Sequence, residues 1–155
     1  MADLNGKNIA IIATNGFEDS ELTSPKEAVE SAGATTKVVS TETGEIEGKK
    51  GAKVAVDAKT ADASVDEFDA LILPGGTINA DTIRADADAV ALVKAFKDAG
   101  KPIGVICHGG WILADADLLK GVKLTSVANV KTDLANAGAN WVDEEVVVDS
   151  GFISS

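Results

Sequence analysis

Short, nearly uninterrupted apolar runs alternate along this chain with stretches that carry an apolar stripe at helical spacing, and that alternation leaves few folds open. Lys7 to Ala13, Thr36 to Ser40, Ala70 to Leu73 and Ile103 to Ile106 read as strands, the first, third and fourth of them buried. Ser24-Pro25-Lys26-Glu27 has the form of a capping box with proline at the first helical position, so a helix is expected to start there. Ala28, Val29 and Ala32 give it a stripe and Gly33 a stop. Ser64 to Phe68 predicts a helical turn and Asn79 to Arg84 the start of a short helix. Ala89, Leu92, Val93 and Phe96 follow the i, i+3, i+4, i+7 pattern of a longer helix that ends before Gly100. Two alternating runs around Gly48-Lys49-Lys50-Gly51 predict a hairpin between Glu45 and Val56. Lys123 to Val127 predicts a strand, Val130 to Ala137 a helix, and Glu145 to Asp149 with Phe152 to Ser154 a closing strand pair. Strands that alternate with helices make an α/β fold with a parallel sheet covered on both faces. A composition 45% apolar but only 4% aromatic suits a sheet core of Val, Ile, Leu and Ala, and 155 residues suit a single domain spanning residues 1–155.

Several functional classes are disfavoured at once. A net charge of −11 repels phosphate, which argues against nucleic acid and anionic membrane as partners. No apolar run approaches the ~20 residues that span a bilayer, and the polar stretch Met1 to Asn8 is not expected to act as a signal peptide. One cysteine allows no internal disulfide, which fits a reducing cytoplasm. No phosphate-binding glycine motif or C-x-x-C pair occurs, and one cysteine with one histidine makes no transition-metal site, so neither cofactor nor metal is expected.

In a sheet of this kind the loops beyond the strand C-termini form the site. Three of them are expected to converge: Asn15 to Glu18, Gly75 to Asn79, and Cys107 to Gly110. The only cysteine and the only histidine of the chain, Cys107 and His108, are neighbours in the last. A thiol at a strand-to-helix turn is favoured as thiolate by backbone N–H groups and the helix dipole, which makes Cys107 a candidate nucleophile or redox-sensing thiol. The alternative is a small buried core residue. The His108 side chain reads as a base or as a loop cap, and its backbone N–H as an oxyanion-hole donor. Glu18 reads equally as a protonated carboxyl that hydrogen-bonds the sulfur and as a first-turn helix acid. Gly75 and Gly76 read as oxyanion donors or as an ordinary turn.

Gly16-Phe17-Glu18-Asp19-x-Glu21-Leu22, Leu73-Pro74-Gly75-Gly76 and Ile106-Cys107-His108-Gly109 stand in the order and spacing of the ThiJ/PfpI superfamily. Asn136 to Glu145 also resembles its PfpI-type branch of intracellular proteases, general stress proteins and protein deglycases. The resemblance runs from about Lys7 to the C-terminus. It implies a flavodoxin-like three-layer α/β/α sandwich with a mostly parallel sheet, of the class I glutamine-amidotransferase type, assembled as a homodimer or a larger homo-oligomer. It further implies Cys107 as nucleophile, Glu18 as the carboxyl bonded to it, His108 as the neighbouring catalytic residue, and the amides of Gly76 and His108 as the oxyanion hole. The function it implies is a cysteine-dependent, stress-protective hydrolase of reactive carbonyls or their protein adducts, deglycase- or glyoxalase-like. The alternatives are an intracellular cysteine peptidase in an oligomer and a non-enzymatic redox sensor or chaperone.

The chain departs from that pattern in three places. Relatives of the protease type place a glutamate shortly after Pro-Gly-Gly, reaching the histidine of an adjacent subunit. Here Asp81 is the nearest acidic match. Gly110 stands where many relatives have proline. Relatives usually continue past the Ser154 position into a closing amphipathic helix, whereas this sequence stops at Ser155, so one sheet face is expected to be partly uncovered.

Overall fold

A computed structural model describes residues 3–155. Met1 and Ala2, part of the stretch read as no signal peptide, lie outside the described residues. The chain runs β1 (Asn8–Ile12), α1 (Asp19–Ser31), β2 (Thr35–Ser40), β3 (Glu45–Glu47), β4 (Lys53–Ala55), β5 (Ala58–Lys59), β6 (Ala70–Leu73), α2 (Thr77–Arg84), α3 (Ala87–Asp98) and β7 (Ile103–Val105). It continues through α4 (Gly110–Asp115), β8 (Lys123–Leu124), α5 (Lys131–Asn136), β9 (Asn140–Trp141), β10 (Val147–Asp149) and β11 (Phe152–Ser154). A seven-stranded sheet in the order β10-β11-β7-β6-β1-β2-β5 forms the middle layer. All its neighbours pair in parallel except β10 with β11. The inner order β2-β1-β6-β7-β11 is that of the flavodoxin-like fold, with the topological switch between β1 and β6. Among the described residues, no helix is long and apolar enough to cross a membrane.

Strand alternation sorts the side chains into two cores of unequal size. Leu71, Leu73, Ile103, Val105 and Phe152 join Phe96, Ile112 and Leu113 in the larger one, under α2 to α5. Ile11, Ala13 and Val38 meet Phe17, Leu22 and Ile46 in the smaller one, under α1 and the β3–β4 hairpin. On that second face the register row Ile72, Gly104, Ile153, Val148 crosses four strands. It ends in side chains that stay open to solvent, Ile153 at 43% and Val148 at 73% exposure.

Two elements differ from expectation. Helix α1 begins at Asp19, not at Pro25, which lies inside it. The Glu18 amide donates to the Gly75 carbonyl (3.2 Å) and the Glu21 amide to the Glu18 carbonyl (3.0 Å), so tertiary contact starts the helix six residues early. Pro25 has no N–H for the Glu21 carbonyl, a local loss that the packing of Leu22 offsets. The expected strand from Lys123 shrinks to two residues because the next amide, that of Thr125, goes to a side chain, Ser154 Oγ at 3.1 Å.

Candidate active site

Strand β7 ends in a sharp elbow. Cys107 sits at φ +58°, a left-handed backbone that a residue with a Cβ adopts only when its surroundings hold it there. Three hydrogen bonds do so: Ile106 N–H to Leu73 O (3.2 Å), Cys107 N–H to Ser155 O (2.9 Å) and Gly109 N–H to Ile106 O (2.8 Å). A side chain at Gly109 would put its Cβ 2.8 Å from Leu73 O, so only glycine lets the elbow lie this close to β6. The thiol is thereby lifted out of the core, half-buried, at the C-terminal edge of the sheet.

The carboxyl at this thiol belongs to Glu21, not Glu18. Glu21, on the first turn of α1, accepts from the Gly75 N–H at 2.9 Å, across 54 residues of sequence. A Cβ on Gly75 would strike both Glu21 Oε1 and Cys107 Cβ (2.9 Å), so the bare glycine is what brings carboxyl and cysteine together. Glu18, the carboxyl singled out from sequence, turns outward to Lys49 Nζ at 2.9 Å and Lys50 Nζ at 3.2 Å. The cause is the early helix start. With Asp19 as the first helical residue, Glu18 becomes the N-cap, and Glu21 faces Gly75. The signal lay in the sequence as Glu21 beside the buried Leu22, but it is legible only once the helix phase is known.

His108 completes the cluster. Its Nδ1 is 3.4 Å from Cys107 Sγ, its Nε2 is 3.2 Å from Thr77 Oγ1, and its ring meets Trp111 edge to face. Trp111 is fixed in turn by Asp133 (2.8 Å) and by Arg84, whose guanidinium lies over the indole and pairs with Asp115. Thr77, Trp111 and Arg84 were not singled out from sequence, since nothing in their spacing links them to the histidine. Asp81 is exposed on α2 and joins none of these contacts within the chain.

Behind the site, the buried side chain of Asn79 ties the loops together. Its Oδ1 accepts from Thr14 N–H (2.7 Å), and its Nδ2 donates to Pro74 O (3.1 Å) and Gly75 O (3.0 Å). The ends of β1 and β6 are thus locked across the switch point. Gly76, at φ +92°, leaves no room for a Cβ against Glu18 N (2.6 Å). Among the described residues, no backbone acceptor takes its amide. The His108 N–H bonds the sulfur of Cys107 itself.

These contacts set the protonation states. Burial, and then the Glu21 charge, push the Cys107 thiol up to about 11, against a smaller pull downward from the His108 amide. The thiolate expected from the helix dipole is therefore not the resting form. Helix α4 has only six residues, and desolvation with a facing carboxyl outweighs it. Burial, and then the Lys49 charge, push His108 down, which keeps the imidazole neutral. Burial raises the Glu21 carboxyl, opposed by the Gly75 amide, while its hydrogen bonds to Lys49 and Lys50 hold Glu18 below the usual range. The site at rest is a neutral thiol between a neutral imidazole and a carboxyl whose hold on a proton is strengthened by burial. That arrangement can move a proton off sulfur as the sulfur attacks, and hand one back.

The sequence profile described as DJ-1/PfpI family matches residues 7–155. An uncharacterised protein of Staphylococcus saprophyticus is 51% identical over 152 residues, which cover 96% of this chain and 88% of that protein. The Bacillus subtilis protein named "Putative cysteine protease YraA" is 44% identical over 150 residues, with the same coverage of 96% and 88%. Among solved structures, a two-domain protein of Anabaena variabilis with DJ-1/ThiJ/PfpI-like and ferritin-like domains superimposes with a TM-score of 0.94 at 33% identity, over 96% of this chain and 43% of that one. The elbow, the mostly parallel sheet and the family match over nearly all its length agree: this chain belongs to the DJ-1/PfpI family.

Proposed function

We propose that the protein is a cysteine-dependent hydrolase of reactive carbonyls or their protein adducts, working in the cytoplasm as a homodimer or larger homo-oligomer. The observation that carries this reading is a lone thiol on a strained elbow with a carboxyl on one side and an imidazole nitrogen 3.4 Å away on the other. A resting thiol pushed up to about 11 is a poor spontaneous nucleophile, so its activation has to be coupled to substrate binding. As Sγ adds to an aldehyde carbon, its proton passes to His108 Nδ1 and the carbonyl π electrons move to oxygen, giving a hemithioacetal. The amides of Gly76 and His108 stabilise that oxygen, Glu21 and His108 carry the proton of the aldehyde carbon to the neighbouring ketone carbon, and water then cleaves the resulting thioester, releasing the hydroxy acid and returning the proton to sulfur.

Methylglyoxal plus water gives lactate, which offers a balanced reaction to measure. Purified protein is expected to consume methylglyoxal and release lactate, and Cys107→Ala to do neither. Equal rates in the two proteins would sink the proposal. The name of the Bacillus subtilis relative favours a second reading, peptide-bond hydrolysis by the same thiol. Release of soluble peptides from casein, lost in Cys107→Ala, would favour it over carbonyl hydrolysis.

A further inference from the structure

Building on that reading, we infer that Trp111 is a positioning residue: clamped by Arg84 and Asp133, it holds the His108 imidazole in the orientation that turns Nδ1 toward the Cys107 sulfur. Adjacency in sequence does not do this by itself. Neighbouring side chains keep free torsions, and a half-buried imidazole can turn to solvent as readily as to the thiol. The 3.4 Å contact between Nδ1 and Sγ therefore depends on what meets the rest of the ring. Thr77 Oγ1, 3.2 Å from Nε2, fixes one end, but a single contact from an exposed side chain leaves the ring plane free to rock about it. Trp111 supplies the wall. It stands three residues on, along the same side of the helical turn, and its indole meets the imidazole at 5.3 Å between ring centres and 73° between planes.

The wall is itself held from three helices. The indole N–H donates to Asp133 Oδ2 (2.8 Å) on α5, and the Arg84 guanidinium of α2 lies 5.0 Å from the centre of the indole ring. Arg84 in turn donates from Nε to Asp115 Oδ1 (2.7 Å), four residues beyond Trp111 on α4. Gly110 brings α5 within reach. A Cβ there would fall 3.0 Å from Leu134 Cδ1, tighter than ordinary contact, so its absence lets α4 lie close against the helix that carries Asp133. These polar contacts are exposed and add little to the stability of the fold. Their combined effect is directional: with its N–H tied and one face covered, the indole has little freedom to rotate, and the imidazole packed on it has little more. A base held beside sulfur takes the thiol proton as the bond to carbon forms, whereas a ring swung to solvent leaves a thiol that is neutral at rest without activation.

His108 is the only histidine, so its ring gives unique NMR signals that can be followed beside methylglyoxal kinetics and urea unfolding. Trp111→Leu is expected to lower kcat about tenfold with KM little changed. It is also expected to raise the His108 titration midpoint, because a ring freed into water loses the burial that holds it down. Neither Cys107 nor Lys49, the other titratable groups that act on the ring, is altered in this variant. Asp133→Ala frees the indole without emptying its place and is expected to move both readouts the same way, kcat by about threefold, with the urea midpoint unmoved. Trp111→Phe keeps an aromatic wall and is expected to retain about half of the wild-type kcat. Unchanged kcat and His108 midpoint in Trp111→Leu and Asp133→Ala overturn the proposal. So does a kcat that falls only in step with the urea midpoint while the His108 signals stay in place. Should Trp111→Leu fail to fold, Asp133→Ala decides by the same readouts. A wild type that leaves methylglyoxal untouched removes the hydrolase reading, and the His108 midpoints of the variants still decide whether Trp111 positions the ring.

Discussion

The elbow at Cys107 and the hairpin tip at Lys49 are built by opposite means. The elbow is packed: Gly75, Gly109 and Asn79 leave no room for a methyl group or for a missing hydrogen bond, and burial dominates the protonation of the thiol. The tip is solvated: its side chains are exposed, its backbone is tied down, and its effect on the site is charge alone. Reactivity is set where water is excluded, because desolvation there shifts protons between sulfur, carboxyl and imidazole. Where water remains, exposed charges act at a distance and yield to salt.

If that division is right, pH and Glu21 give the largest effects. The thiol titrates near 11, so the thiolate fraction and the iodoacetamide rate of the wild type are expected to rise about tenfold per pH unit between pH 7 and 10. Glu21→Gln removes a charge that raises the thiol, so its midpoint is expected to fall and alkylation at pH 7 to speed up. Methylglyoxal turnover is expected to fall about hundredfold in the same variant, because Gln cannot take up and return a proton. Glu18→Gln moves the midpoint in the same direction but by less, since its charge is the weakest contributor named for the thiol. Reversed sizes for the two variants would break the assignment of the buried role to Glu21.

Next in size is the frame behind the elbow. Asn79→Ala strands the Thr14 amide and the Pro74 carbonyl in the interior, leaves the Gly75 carbonyl with the Glu18 amide alone, and is expected to cost about 3 kcal/mol in urea unfolding. Lys50→Ala on the tip is expected to shift the midpoint far less. The smallest effect sharpens the role of the histidine. If Thr77 Oγ1 accepts from Nε2–H, it leaves Nδ1 as the base toward sulfur, so Thr77→Val is expected to lower kcat about fivefold with KM little changed. An unchanged kcat would show that the tautomer is fixed some other way.

Much of this was legible from residues alone. The apolar runs at Lys7, Ala70 and Ile103 became the central parallel strands, and the helical turn expected over Ser64 to Phe68 forms, with a capping box between Ser64 and Glu67 that only the structure revealed. The hairpin around Gly48 to Gly51 forms where the alternation placed it. Of the three loops expected at the strand ends, Gly75 to Asn79 lies against both of the others, while the carboxyl near Cys107 comes from Glu21, just beyond the first loop. Helix α1 was less legible, because Ser24-Pro25-Lys26-Glu27 is a sound local start signal that a tertiary contact overrides. That single shift of phase moved the carboxyl at the thiol from Glu18 to Glu21.

The sequence by itself determined the α/β sheet and the position of the thiol at the end of a central strand, since burial periodicity and glycine placement are local properties. Only the tertiary structure decided which carboxyl meets the sulfur, which group fixes the histidine ring and which protonation state the thiol holds. Those depend on contacts such as Glu21 with Gly75, 54 residues apart, and on how far each group is removed from water. Neither is written in the spacing of residues along the chain.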